Sequence, residues 1–275
     1  MNRFASGPKR NYYGKGDVIV YRLHRRPQQE HAPVFGANVL MLLYGDAFWE
    51  TYTTGDNSQL VATDSMKNFI QRETMNFEGD TLPEFCRYLA EKFLAKYPQT
   101  EGLQVSAEEA PYSAILERNI AFAPAGPERA TARIELTKSS GIIESVSGIR
   151  NFRLLRLSGS AFQGFIRDEY TTLPDIANRP LHMWLDLEWN TTPDVTSARV
   201  NTLVKEVFQA FESGSIQQII HRIGTKMLET FPAIQEIRLE ANNRTWDAIA
   251  ERGDELGVYT DARPPYGCLG LTLRR

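Results

Sequence analysis

The stretch from Val200 to Met227, VNTLVKEVFQAFESGSIQQIIHRIGTKM, decides the fold. In its first half Val200, Leu203, Val204, Val207, Phe208 and Phe211 recur at the three- and four-residue spacing of one helix face. Ile216, Ile219, Ile220, Ile223 and Met227 repeat that spacing in the second half. Ser213-Gly214-Ser215 separates the two runs, and Ser215 is placed to cap the second helix. Working outward, strands are expected near Arg150 to Leu157 and His182 to Trp189, before the helix pair. Further strands are expected after it, near Ala233 to Ala241, at Val258 and at Leu269 to Leu273. The order is therefore strand, strand, helix, helix, strand, strand.

The first half of the chain follows the same order. Asp17 to His24 alternates with period two, and Asn38 to Tyr44 and Phe48 to Thr54 read as further strand segments. Gln59 to Thr63 is an extended approach to a helix capped by Asp64 or Ser65, which turns Phe69 and Ile70 inward and fades by Gly79. Thr81-Leu82-Pro83-Glu84 has capping-box spacing and opens a helix from Glu84 to Tyr97, with Phe85, Leu89 and Phe93 on its inner face. Strands near Gly102 to Glu108 and Ala130 to Lys138 flank an irregular Phe122 to Glu128, and Gly141 to Ser145 opens the second cycle. Met1 to Tyr12 reads as a polar leader and Arg25 to Pro33 as a loop. Two repeats, 13–138 and 139–275, of an α+β fold with antiparallel sheets and helices on one face are expected. Such sheets need their edges paired, and assembly into a closed barrel would do so.

The composition excludes several classes of function. Of 275 residues, 42% are hydrophobic and 24% charged, and the net charge of −3 gives no reason to expect nucleic acid or an anionic membrane as partner. Two cysteines, Cys86 and Cys268, suit a reducing compartment. The first residues show no apolar signal core, and the longest apolar run, Val39 to Tyr44, is too short to span a bilayer. A cytoplasmic location is expected. His24, His31, His182 and His221 lack ligand spacing, and the common zinc, redox and phosphate-loop motifs are missing, so no dedicated metal site is expected.

The chemistry concentrates in Ser158 to Arg179, SGSAFQGFIRDEYTTLPDIANR. It reads as the start of a strand, with Phe162 and Phe165 beside Gly159 and Gly164, then a turn at Pro174 and a guanidinium at Arg179. Glycines beside an aromatic let a flat ring approach the backbone, and an Arg after a rigid turn presents a two-pronged donor. Together they suit a small, planar, anionic ligand. Thr63-Asp64 stands at a helix start, where outward N–H groups attract anions.

This stretch, with Val61 to Asn68 (VATDSMKN) and Tyr13-Gly14-Lys15, resembles the urate oxidase (uricase) family along nearly the whole chain. The resemblance implies the tandem tunnelling fold and a homotetramer enclosing a barrel. It implies cofactor-independent oxidation of urate by O₂ to 5-hydroxyisourate and H₂O₂, at sites between subunits. By resemblance Lys15 and Thr63 form a dyad that takes a proton from urate, and backbone groups at Asp64 contact its five-membered ring. Arg179 and Gln217 clamp the opposite edge, Phe162 stacks on the ring, and Leu173, Ile216 and Leu269 wall the pocket. Asn242 matches the asparagine that holds oxygen or water. One position departs from the family: a histidine is expected where Arg244 stands. Arginine cannot accept a proton in a protein. Either Arg244 acts electrostatically on Lys15 and activity persists with an altered pH profile, or the chain binds purines with weak or no turnover. A pterin enzyme of the same fold is a further alternative, but such enzymes need a zinc cluster or reactive cysteine.

Overall fold

The computed structural model describes residues 8, 10–25, 32–116, 120–253 and 255–275. Most of the expected leader and the middle of the expected loop, 26–31, lie outside them. The chain divides into two compact units, Met1–Ser147 and Gly148–Arg275.

The first unit opens with the antiparallel pair β1 (Tyr13–Leu23) and β2 (Val34–Tyr44). A 3-10 turn, Asp46–Phe48, leads to α1 (Trp49–Thr53), α2 (Thr63–Asn76) and α3 (Leu82–Lys96). The chain returns through β3 (Gly102–Glu109), the small hairpin of β4 (Tyr112–Ala114) and β5 (Phe122–Pro124), and β6 (Arg129–Thr137). β3 pairs antiparallel with both β2 and β6. Strand alternation does the sorting: Val18 and Val20 of β1 are buried, while Ile19 and Tyr21 between them are exposed. Phe85, Leu89 and Phe93 of α3 are wholly buried in the same core. Thr81 starts that helix, its Oγ1 accepting from the Glu84 N–H at 3.4 Å and donating to Glu84 Oε2 at 2.7 Å.

β7 (Gly141–Arg156) runs across the division at residue 147. The second unit continues with β8 (Leu181–Asn190), α4 (Ser197–Gln209), α5 (Ile216–Thr230) and β9 (Glu236–Asn243). It ends with a hairpin of β10 (Asp247–Arg252) and β11 (Leu256–Thr260), then β12 (Cys268–Arg274). β9 lies antiparallel between β8 and β12. Leu181, Met183, Leu185, Leu187 and Trp189 alternate into a core closed by Val200, Val204, Ile219, Ile223 and Met227. Gly224 lets α5 pack tightly on the sheet, since a Cβ there would meet Leu273 Cδ1 at 2.7 Å.

Several local expectations are corrected. Phe48 to Thr54 is helical, not a strand: its aromatics have high β propensity, but only Phe48 is buried and Thr54 N–H closes onto the Glu50 carbonyl. Gly141 to Arg156 is one strand rather than two. Ser158 to Arg179 forms no strand; Gly159 and Gly164, at φ 79° and 71°, break the extended path and leave two isolated bridges. α2 is capped by neither Asp64 nor Ser65. Its N-cap is Ala62, and Asp64 instead accepts from Lys67 and Asn68. No helix among the described residues is long and apolar enough to cross a membrane.

Candidate active site

Each unit holds one part of the predicted constellation. In the first, Lys15 lies on β1 opposite Met41, just before a bulge that ends at Val18. Bulges re-aim side chains, and Asp17 takes a positive φ of 54° within this one. Gly14 lets β1 close onto β2 there, because a Cβ at that position would overlap the Met41 carbonyl oxygen. Tyr13 then fixes the second residue of the pair. Its hydroxyl accepts from the Val61 N–H at 3.0 Å, two residues before Thr63, and its ring packs edge-on against Phe48. Burial pushes the Tyr13 phenol up to about 12, so it stays a neutral strut.

Thr63 is the first residue of α2, and no side chain caps that helix. Its leading N–H groups therefore keep their capacity for an anion. The Asp64 carboxyl is held below its usual value, first by hydrogen bonding and charge from Lys67, with Asn68 and Lys15 contributing less. Lys15 and the start of α2 are linked through β1, by the Tyr13–Val61 hydrogen bond. The Tyr13–Val61 contact spans 48 residues, and no local pattern in the sequence signals it.

In the second unit the segment after β7 wraps around the start of α5. Ser213 N–H donates to the Gly159 carbonyl at 2.9 Å, and Ala161 N–H to the Ser213 carbonyl at 2.7 Å. On the other side Phe162 and Ile176 exchange two backbone hydrogen bonds, Gly159 N–H donates to Asn178 Oδ1, and Arg179 N–H to the Ser160 carbonyl. This frame holds Phe162, Arg179 and the N-terminus of α5 together. Arg156 braces it: Nη1 donates to the Gly159 carbonyl and to Ser213 Oγ, and the guanidinium lies over Phe208 and Phe211.

Within the frame, Phe162 stacks on Phe165 at 5.0 Å and 15°. Arg179 is half-buried, its Nε is buried without a partner, and burial lowers its pKa. An unsatisfied, desolvated guanidinium favours a ligand that returns an acceptor to it. Ile216 is buried and Gln217 exposed in the first turn of α5. Ser215 caps that helix by accepting from the Gln218 N–H at 3.1 Å, and Gln218 Oε1 accepts in return from the Gly214 N–H. Leu173 is exposed, on the loop held by Arg167 and Asp175.

The β9 end of the unit carries the remaining residues. Asn242 pairs with Cys268 and Trp184, whereas Leu269 pairs with the buried Ala241. The strand alternation thus puts Leu269 on the helix-covered face and Asn242 on the other. Arg244 donates its N–H to the His182 carbonyl, and its guanidinium lies between Trp184, at 4.1 Å, and Tyr266, at 3.2 Å. Arg153 covers Trp184 as well. Asn242 Oδ1, Arg244 Nε, Trp184 Nε1, Trp246 Nε1 and His182 Nδ1 are all buried without partners, an unusual density for one patch. Neither Trp184 nor Tyr266 was singled out from sequence. Among the described residues no cluster of three or more His, Cys, Asp or Glu is arranged for a metal.

Two tandem strand–strand–helix–helix–strand–strand units with antiparallel sheets define an α+β protein of the tunnelling-fold class. The family profile described as uricase matches residues 11–135 and 145–269, one block in each half. The chain belongs to the uricase family. It is 38% identical to the uric acid degradation bifunctional protein of Bacillus sp. (strain TB-90), over 95% of this chain and 60% of that protein. It is 32% identical to the uricase of Haloferax volcanii, over 96% of this chain and 97% of that one. The chain thus spans about 60% of the length of the bifunctional Bacillus relatives. Among solved structures, the urate oxidase of Bacillus sp. TB-90 superposes with a TM-score of 0.89 at 37% identity, covering 96% of this chain and 100% of that one. A uricase from Bacillus fastidious gives a TM-score of 0.89 at 35% identity, over 97% and 94%.

Proposed function

We propose that this protein is a urate oxidase. It converts urate, O₂ and water to 5-hydroxyisourate and H₂O₂ without metal or organic cofactor. In this reading Lys15 and Thr63 take a proton from urate, with backbone N–H groups at Thr63 and Asp64 facing its five-membered ring. Arg179 and Gln217 grip the opposite edge, Phe162 stacks on the ring, and Leu173, Ile216 and Leu269 bound the pocket. The electron-rich anion passes an electron to O₂ held at Asn242, the two recombine to a peroxide adduct, and water displaces hydroperoxide. The substrate is itself the reductant, so the protein contributes orientation and preorganised charge. The protein works as a cytoplasmic homotetramer of repeats 13–138 and 139–275, with helices outside a barrel. Its sites lie between subunits, the Lys-Thr pair from one chain and the clamp from its neighbour.

The observation that carries the proposal is the frame around Arg179. Three chain segments, 159–162, 176–179 and the turn at Ser213, hold Phe162 and a half-buried guanidinium whose Nε lacks an acceptor in one frame with a capped helix start. The test is incubation with urate in air. Loss of urate absorbance with one H₂O₂ per urate is expected, and urate binding without peroxide would leave a purine-binding protein.

Arg244 is the chain's own feature within that reading. Stacked between two rings, it places a permanent cation where the family has a titrating imidazole. Arg244→His is expected to move the pH–rate curve by adding a group that titrates near neutrality; a superimposable curve would remove Arg244 from the mechanism.

A further inference from the structure

In the second unit a cavity of about 680 Å³ between α4 and α5 is not used by the proposed chemistry. Its floor is apolar: Leu203 and Val207 of α4 lie between Phe211 at one end and Phe231 at the other. The two helices run alongside each other, so the groove from Arg222 to Phe231 is about 13 Å long at 1.5 Å rise per residue. That volume lies within the range of small-molecule sites, which combine apolar walls with a few placed polar groups.

The rim is cationic. Arg222 lies over the Phe211 ring at 5.2 Å, and Arg199 lies over Phe231 at 5.0 Å. A guanidinium held over an aromatic ring by its charge still has N–H groups to offer an acceptor. Arg199 spends one donor on the Asp194 carbonyl, but neither arginine is paired with a carboxylate among the described residues. Lys226 stands one turn after Arg222 on the same helix face, and its carboxylate neighbour, Glu229 at 3.5 Å, is about as exposed as it is. Glu206 is the one acidic residue on the lining, against three cations. This excess of positive charge sits in a chain whose net charge is −3.

We infer that this groove binds an amphipathic carboxylate, with the head between Arg222 and Lys226 and a medium-length acyl chain along Leu203 and Val207 towards Phe231. Charge complementarity selects an anion for the head, and the apolar floor selects a hydrocarbon for the body. The groove runs from the middle of α5 to its C-terminal end and shares Phe211 with the Arg156 brace, but it contains neither Arg179 nor Gln217, so its ligand is a second one beside urate.

Decanoate, below its micellar range, is the probe for calorimetric titration of the full chain. Saturable binding of one decanoate per chain is expected, with acetate and decanol each at least tenfold weaker. Arg222→Glu is expected to weaken decanoate at least tenfold. Ala210→Trp, an exposed position on the lining, is expected to block it by filling the groove while leaving the helix content unchanged, and it decides the matter should Arg222→Glu fail to fold. Equal affinity for decanol, undiminished binding in Ala210→Trp, or no saturable binding would each overturn the inference. So would an Ala210→Trp protein that fails to bind decanoate only because its assembly mass has changed, which would assign the face to a second copy of the chain.

Discussion

The two units repeat one topology but treat their helix starts differently. In the second, Thr196 caps α4 and Ser215 caps α5, each accepting from an N–H three residues on. In the first, α3 is capped by Thr81, but α2 begins at Ala62 and Thr63 with no side-chain cap. The connections differ as well. The second unit spends residues 157–180 between β7 and β8 on the frame around Phe162 and Arg179, while the first turns from β1 to β2 within residues 24–33. The cores also diverge: rings of Phe35, Phe77, Phe85 and Phe93 fill the first, and isoleucines of α5 fill much of the second. Duplicated scaffolds can therefore keep their sheets and specialise in their loops and helix ends, where donors are left free.

The largest effect should come from removing the second unit's contribution. Arg179→Ala is expected to lower kcat/KM for urate by about 100-fold or more, the loss of charge-assisted hydrogen bonds worth about 2–3 kcal/mol. Steady-state kinetics on folded protein checks it, and a change below about threefold would break the division of labour between the units. Next is the first unit's tight approach. Gly14→Ala must push β1 from β2 beside Lys15, at an expected cost of about 1–3 kcal/mol in urea unfolding, with turnover reduced as well.

A more delicate comparison swaps the caps. Ser215→Ala should cost about 1 kcal/mol, whereas Ala62→Ser, adding the missing cap to α2, should stabilise by a similar amount. If the open start of α2 serves the ligand, Ala62→Ser should also raise KM; a rise in stability with unchanged KM would make the absent cap incidental.

The smallest effect concerns His182. Burial, the first cause, holds its pKa below the usual value; Asp261 opposes, Arg153 assists, and Arg244 acts both ways, its backbone hydrogen bond raising and its charge lowering the value. The unfolded chain therefore binds that proton more readily. Stability from this residue is intact above its unfolded value of about 6.5 and declines as pH falls from there through the lower folded value. In His182→Gln the thermal midpoint should fall less between about pH 7 and about pH 5 than in the parent, as thermal unfolding at both would show.

Much of this was legible in the chain. The spacing of Val200 to Phe208 and of Ile216 to Met227 specified two helices and their buried faces, because one helical period fits and the strand period does not; Phe211, expected on the same face, falls beyond the end of α4 at Gln209. Ser215 and Thr81 were readable as caps because capping is a contact over three residues. Phe48 to Thr54 misled, since aromatic β propensity carries no information about whether a partner strand is present. The α2 cap misled too: Asp64 has suitable chemistry but turns to Lys67 and Asn68.

By itself, then, the order of residues determined the tandem α+β plan, the inward faces and the motif positions, all set by short-range periodicity and local hydrogen bonding. Only the tertiary structure decided that Tyr13 ties Val61 beside Lys15, that Ser213 stitches Gly159 and Ala161 to the start of α5, and that Arg244 lies between Trp184 and Tyr266. Those contacts join residues tens of positions apart. Their partners are chosen by sheet register and packing, which no local pattern encodes.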